Sequence, residues 1–314
     1  MLRPTDNLTV SIPDGVWPVM LTPFTASGQV DFAALDRLVD WYIDAGSTGL
    51  FAVCQSSEMF EMDHEERAEV ARRVVDHTAG RVPVVASGTF GDDPGGWASG
   101  VRDMYATGVD AVVCLTGVLA RKDEVDAIWQ RRAARLVDDT ADIPLGIYEC
   151  PRPYHRLLAP ETLAWAASTG RFHFLKETSG RPEVVRAKLD AAAGTGMRVF
   201  NAAAATAQEN LIDGAAGFSG ISANFIPELW VWLCANWAKE PELADELQAF
   251  LREAEHTVVR GYPATAKHFL VMSGFDMTTA CRVCTDELEP GVTEALADMR
   301  AGAEAWRQRL GLAG

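Results

Sequence analysis

The 314-residue chain is 48% hydrophobic and 23% charged, the composition of a globular protein that can bury one large core rather than of a fibre or a disordered tail. Its net charge of −16 repels phosphate backbones and anionic headgroups, so no nucleic-acid or membrane partner is expected unless a local basic patch intervenes. The strongest candidate patch, Arg131, Arg132 and Arg135, sits in a helical pattern diluted by Asp126 and Asp138 and reads as a solvated face.

In chain order, residues 1–13 hold no apolar run of the signal-peptide kind, and no later stretch is long enough to span a bilayer. Short apolar runs then alternate with amphipathic segments of helical length, the pattern of parallel strands joined by crossover helices. Strands are predicted at 16–21, 49–54, 82–87, 111–115, 143–148, 172–177, 198–201 and 217–222, the seventh being the weakest because alanines follow it. Helical spacing covers 32–45, 64–77, 97–107, 124–138, 160–168 and 183–192, with Asp63 and Pro160 as helix starts. Beyond 222 only helices follow, at 227–237, 242–259, 265–272 and 294–310. The expected architecture is a (β/α)8 TIM barrel over 11–225 with a C-terminal helical appendix over 226–314. Six scattered cysteines without a disulfide framework fit a reducing cytoplasm.

Barrel enzymes place their chemistry at the carboxyl ends of the strands, where side chains converge on one mouth. Strand six reads Phe172-His173-Phe174-Leu175-Lys176-Glu177, and period-two alternation sets Phe172, Phe174 and Lys176 on one face. With both phenylalanines filling the interior, Lys176 enters the barrel top. There its ammonium loses hydration, its pKa falls, and the free amine can attack a carbonyl. The same position also suits a lysine paired with a carboxylate for structural reasons. Tyr148 ends strand five next door, placed either to pass protons or to serve as a core tyrosine. After strand two, Gln55, Ser56 and Ser57 form a polar turn whose hydroxyls and amides can hold a carboxylate.

These places, in this order, resemble the dihydrodipicolinate synthase and N-acetylneuraminate lyase superfamily of Schiff-base aldolases. The resemblance is carried by Val19-Met20-Leu21-Thr22-Pro23-Phe24 and the stretch from Gly28 to Asp31. Tyr148-Glu149-Cys150-Pro151 is similar to the family's Tyr-Asn-x-Pro, and Lys176-Glu177-Thr178-Ser179-Gly180 to its Lys-Glu-x-Ser-Gly. Gly214-Ala215-Ala216-Gly217, with Ser222-Ala223-Asn224 and Pro227, resembles its eighth strand and exit. The resemblance implies that Lys176 is the Schiff-base lysine, Tyr148 the proton relay, and the strand-two turn the binder of a 2-oxo acid carboxylate. Candidate substrate contacts are Gln55, Ser56, Ser57, Arg152, Arg156 and Ser219, and the chemistry requires no metal or organic cofactor.

Departures from the family pattern bear on the substrate. The family's Gly-Thr-Thr-Gly-Glu or Gly-Ser-Thr-Gly-Glu stands here as Cys54-Gln55-Ser56-Ser57-Glu58, so Gln55 replaces a relay hydroxyl and Ser57 a permissive glycine. The paired tyrosines expected after strand four are absent from Leu115-Thr116-Gly117-Val118-Leu119. Pro153 occupies the position of the synthases' arginine, with Arg152 and Arg156 offset from it, and Ala202 to Ala205 make the mouth less polar. These features point away from dihydrodipicolinate synthesis and from sugar acids, toward a smaller or more apolar partner.

A Schiff-base dehydratase or hydratase-aldolase on a 2-oxo acid fits the same residues, as does a keto-acid-binding paralogue without turnover. Cys54, Cys114, Cys150 and His155 match no zinc pattern, and no P-loop or Gly-x-Ser-x-Gly elbow is present. Cys281-Arg282-Val283-Cys284 reads as helix packing, and Trp230, Trp232 and Trp237 as core rather than a subunit contact. A homo-oligomer, dimer or tetramer, is the expected assembly.

Overall fold

A computed structural model describes residues 10–312; most of the stretch read as lacking a signal segment, and the last two residues of the helical region, lie outside the described residues. Eight strands run parallel: β1 (Gly15–Val16), β2 (Leu50–Phe51), β3 (Val84–Ser87), β4 (Ala111–Leu115), β5 (Leu145–Tyr148), β6 (Phe172–Glu177), β7 (Arg198–Asn201) and β8 (Gly217–Phe218). Their order is β1-β8-β7-β6-β5-β4-β3-β2. The ring closes at Phe51, which donates its N–H to the Pro18 carbonyl and accepts from the Met20 N–H, each at 3.0 Å. The fold is the (β/α)8 barrel that the alternation predicts.

Around it lie α1 (Phe32–Asp44), α2 (His64–Thr78), α3 (Pro94–Tyr105), the short α4 (Thr116–Leu119), α5 (Asp126–Asp139), α6 (Pro160–Ser168), α7 (Pro182–Ala192) and α8 (Ala207–Ile212). The appendix is α9 (Pro227–Asn236), α10 (Pro241–Val259), α11 (Ala264–Met272) and α12 (Val292–Leu310). Local chemistry sets the starts. Asp31 and Asp63 accept the N–H groups of Ala34 and Glu66, and proline opens α3, α6, α7, α9 and α10.

The ladders of β1, β2 and β8 are shorter than their apolar runs. Pro18 has no N–H to extend β1, and the β1–β8 seam is closed only by glycine. Gly217 has φ +155°, and a Cβ there would lie 1.8 Å from the Gly15 carbonyl oxygen. Helix α8 was not foreseen in the alanine run. It follows a turn held from outside, where Asn201 accepts the Ala203 N–H at 2.6 Å and Glu255 of α10 that of Ala204 at 2.9 Å.

Strict alternation in β6 also fails at one end. Phe174 lies inside, 5.0 Å from Phe200, 5.4 Å from Trp17 and 5.8 Å from Phe51 between ring centres. Phe172 instead packs on Trp129 of α5, because the β5–β6 register shifts between Leu145 and Gly146 and the strand changes phase there. Phe174 and Lys176 share the inner face without Phe172.

Trp230 stacks on Phe218 at 3.5 Å and belongs to the core. Arg132 is paired with Glu124, and Arg135 with Asp139. The Cys281–Cys284 motif, expected in a helix, lies in irregular chain between α11 and α12, where Arg282 binds the Gly28 carbonyl and Glu66. Among the described residues no helix is long and apolar enough to cross a membrane.

Candidate active site

Parallel pairing sets Tyr148, the last residue of β5, directly beside Lys176 near the end of β6. The Lys176 Nζ stands 4.7 Å from the centre of the Tyr148 ring. Burial strips water from the amine and pushes its pKa down to about 8, against a weaker upward pull from Cys54, Cys150 and Glu255. Burial, reinforced by Cys150 and Cys54, holds the Tyr148 phenol well above its ordinary value, so it keeps its proton at neutral pH.

Three lysines are buried among the described residues: Lys176, Lys188 and Lys267. Lys188 Nζ binds both Glu149 oxygens at 2.6 and 2.7 Å and Glu177 at 2.9 Å. Lys267 Nζ binds Glu58 at 2.7 Å and the Ala280 carbonyl at 2.6 Å. These two are structural ions whose burial is compensated. Lys176 makes no ion pair or hydrogen bond among the described residues, and its amine faces open volume.

Alternation explains the division of labour. Glu149 and Glu177 directly follow Tyr148 and Lys176, so their carboxylates turn to the opposite face and meet Lys188 on α7. One ammonium thereby ties β5 to β6 behind the two residues they present. Burial pushes Glu149 up to about 7 despite the pull of Lys188.

The open volume is a cavity of about 430 Å³ lined by Lys176, Tyr148, Gln55, Ser56, Arg152 and Tyr262, with an apolar wall that includes Ala202, Ala203, Ile221 and Val259. Ser56 and Gln55 therefore reach it as expected, although Gln55 Oε1 accepts the Cys150 thiol at 3.2 Å. Ser57 turns away. Its hydroxyl donates to the Cys54 carbonyl and accepts the Cys54 N–H, both at 2.7 Å, which closes the turn. Arg152 lies at the cavity wall over Phe60 and 3.9 Å from Glu61.

Arg156 is not brought to the cavity. Its guanidinium binds the Arg121 and Glu124 carbonyls at 2.9 Å and Asp126 at 2.7 Å, anchoring the loop before α6. Ser219 is fully buried and donates to the Trp17 carbonyl at 2.9 Å. Among the described residues no three His, Cys, Asp or Glu side chains converge as metal ligands.

Sequence reasoning missed Tyr262 and Glu58. Glu58, left-handed at φ 62°, ends the Ser56 turn and accepts from Lys267, from the Arg282 N–H at 2.5 Å and from the Val283 N–H at 2.9 Å. The segment beyond α11 is thus fastened to the cavity floor. Tyr262 sits in the break between α10 and α11. Gly261 and Pro263 mark that break in the sequence, and it was the available signal that the appendix reaches the mouth.

Fold and cavity define a parallel (β/α)8 barrel with a buried amine at its mouth. The chain belongs to the dihydrodipicolinate synthetase family, which it matches over residues 13–299. It is 30% identical over 222 residues to the 4-hydroxy-tetrahydrodipicolinate synthase of Pseudomonas savastanoi pv. phaseolicola, covering 70% of this chain and 74% of that protein. The corresponding enzyme of Shewanella baltica is 29% identical over 234 residues, 74% of this chain and 78% of the other. Among solved structures, dihydrodipicolinate synthase from Thermotoga maritima superposes with a TM-score of 0.85 at 19% identity, covering 94% and 99% of the two chains. A prophage protein of the same family from E. coli K12, solved in complex with pyruvate, gives 0.81 at 22% identity, covering 96% and 100%.

Proposed function

We propose that the protein is a class I lyase that forms a Schiff base between Lys176 and a 2-oxo acid of the pyruvate type. One observation carries this reading: of the three buried lysines, Lys176 alone lacks a carboxylate partner among the described residues, and it lines the cavity. A buried amine with pKa about 8 is neutral in roughly one molecule in ten at pH 7, against about one in three thousand at the ordinary lysine value of 10.5.

The neutral amine attacks the 2-oxo carbon to give a carbinolamine. Tyr148 donates its proton to the departing oxygen, water leaves, and the iminium acts as the electron sink. The phenolate so formed takes the proton of the substrate hydroxyl that becomes the aldehyde, and carbon–carbon cleavage delivers the bonding electrons into an enamine, which is then protonated and hydrolysed. Ser56 and the turn amides hold the substrate carboxylate by hydrogen bonds, and Arg152 at the wall meets the distal end of the partner.

Dihydrodipicolinate synthesis is not the reaction we assign. Gln55 is engaged by Cys150, Ser57 is closed on its own turn, and the wall beyond β7 is alanine. That wall suits an apolar partner, so a hydratase-aldolase or a dehydratase is the second reading. Product analysis separates them, because dehydration retains the carbon skeleton and retro-aldol cleavage divides it. A cytoplasmic homo-oligomer completes the proposal, and sedimentation of the purified chain tests the assembly.

The test is borohydride trapping with pyruvate and a panel of other 2-oxo acids, followed by peptide mass analysis. A mass increment on Lys176 is expected, with a trapping rate that rises about tenfold per pH unit below 8 and levels above it, as the free amine saturates. No adduct across the panel sinks the reading. Tyr148→Phe is expected to slow adduct formation about 100-fold while the final yield at Lys176 is kept, the signature of a lost proton donor; an unchanged rate removes Tyr148 from the mechanism.

A further inference from the structure

We propose that Tyr262, contributed by the helical appendix, is a second hydrogen-bond donor to the substrate carboxylate, acting beside Ser56. The inference rests on the Lys176 reading and extends it to a residue outside the barrel strands.

A carboxylate offers two oxygens, each able to accept more than one hydrogen bond. The hydroxyl donors of the strand-two turn reduce to one. Its Ser57 hydroxyl is closed on Cys54, and Gln55 Oε1 takes the Cys150 thiol, so Ser56 carries the one free hydroxyl of that turn. Tyr262 lines the same cavity as Ser56.

The direction of the Tyr262 proton follows from its neighbour. Asn224 Nδ2 lies 2.6 Å from the phenol oxygen, and an amide N–H only donates, so that oxygen accepts. The amide is oriented in turn by Tyr42, whose hydroxyl donates to Asn224 at 3.4 Å, reaching both its side-chain and its backbone oxygen. With Asn224 donating to the phenol oxygen, the Tyr262 O–H is left to donate toward the cavity. A phenol that already accepts a hydrogen bond is the stronger donor. Burial also raises its pKa well above 10, so it remains a neutral donor wherever the Lys176 amine is active. The turn itself is built for this placement: Gly261, at φ +84°, reverses the chain after α10 and sets the ring against the mouth.

Pyruvate and hydroxyacetone distinguish this role from a structural one, since both present a methyl ketone and only pyruvate carries the carboxylate. Borohydride trapping at Lys176 is titrated with each ligand in the full-length wild type and in Tyr262→Phe. The half-saturating pyruvate concentration is expected to rise about tenfold or more, the effect of one hydrogen bond to a charged group. The hydroxyacetone value and the pyruvate adduct yield at saturation stay unchanged. Asn224→Leu, which releases the phenol from its fixed orientation, is expected to shift pyruvate alone in the same direction by a smaller factor.

The proposal is overturned if pyruvate half-saturation in Tyr262→Phe stays at the wild-type value, or if both ligands weaken together. In either case adduct formation in the wild type leaves the Lys176 reading standing. A wild type that traps neither ligand removes both.

Discussion

Lys176→Met is expected to abolish adduct formation with every 2-oxo acid while making the fold more stable at neutral pH. The two effects share one cause. The amine is buried without a counter-ion, so the folded state prefers it neutral and its pKa falls to about 8 from the 10.5 of an exposed lysine. At pH 7 the chain must hold a proton that the folded site disfavours, at a cost of roughly 3 kcal/mol. Methionine removes that cost and keeps an unbranched side chain against the Tyr148 ring.

The sign of the pH dependence follows from proton binding. Between about 8 and 10.5 the unfolded chain binds more protons at this residue than the folded one, so wild-type stability rises with pH through that window. The advantage of Lys176→Met is therefore full below pH 8, shrinks through the window and vanishes above it. Denaturant titrations of both proteins at pH 7 and pH 10 measure the difference. A methionine variant that is less stable at pH 7 means that Lys176 has a stabilising partner, and the nucleophile assignment then fails. A gain in stability on losing a functional residue is what a site strained for chemistry predicts.

Much of the barrel was legible because fully buried parallel strands appear as short continuous apolar runs bounded by turns. Three of them, Ala111–Leu115, Phe172–Glu177 and Arg198–Asn201, form with the bounds that the runs predict. What escaped depends on partners far along the chain. Nothing in Ala202 to Ala205 announces the turn before α8, where the Ala204 amide is taken by Glu255 of α10. The phase change beside Phe172 depends on the register of β5.

The site divides in the same way. The places of Lys176 and Tyr148 at the mouth are readable from strand ends, because a barrel fixes where a strand's last inward residue points, but strand position left both open between a chemical and a structural role. The turn after β2 was readable as polar, but not which of its serines faces the ligand. That is decided by the Ser57 hydroxyl closing on the Cys54 backbone. Tyr262 could not be placed, since a helical appendix carries no strand-end rule to say which of its residues reach the mouth.

Lys188→Met is expected to act in the opposite sense to Lys176→Met, although both remove a buried ammonium. Lys188 stands between Glu149 and Glu177, and all three are fully buried. Removing the cation leaves two carboxyl groups facing each other without a counter-charge, a defect that costs about 3–5 kcal/mol. Its pH dependence identifies the cause. Glu149 already sits near pKa 7 with the lysine present, and losing Lys188 raises it further. A carboxyl whose folded pKa exceeds its unfolded value binds more protons folded than unfolded, so stability falls as pH rises through the interval between them. The deficit of Lys188→Met is therefore largest at and above neutral pH and narrows toward pH 4, where the Glu149 carboxyl is mostly protonated in either state. Because the triad ties β5 to β6, the damage also reaches Tyr148 and Lys176, and adduct yield at pH 7 falls with the folded fraction. Thermal unfolding from pH 4 to pH 8 is the measurement; a deficit independent of pH means that the lysine acts through packing alone.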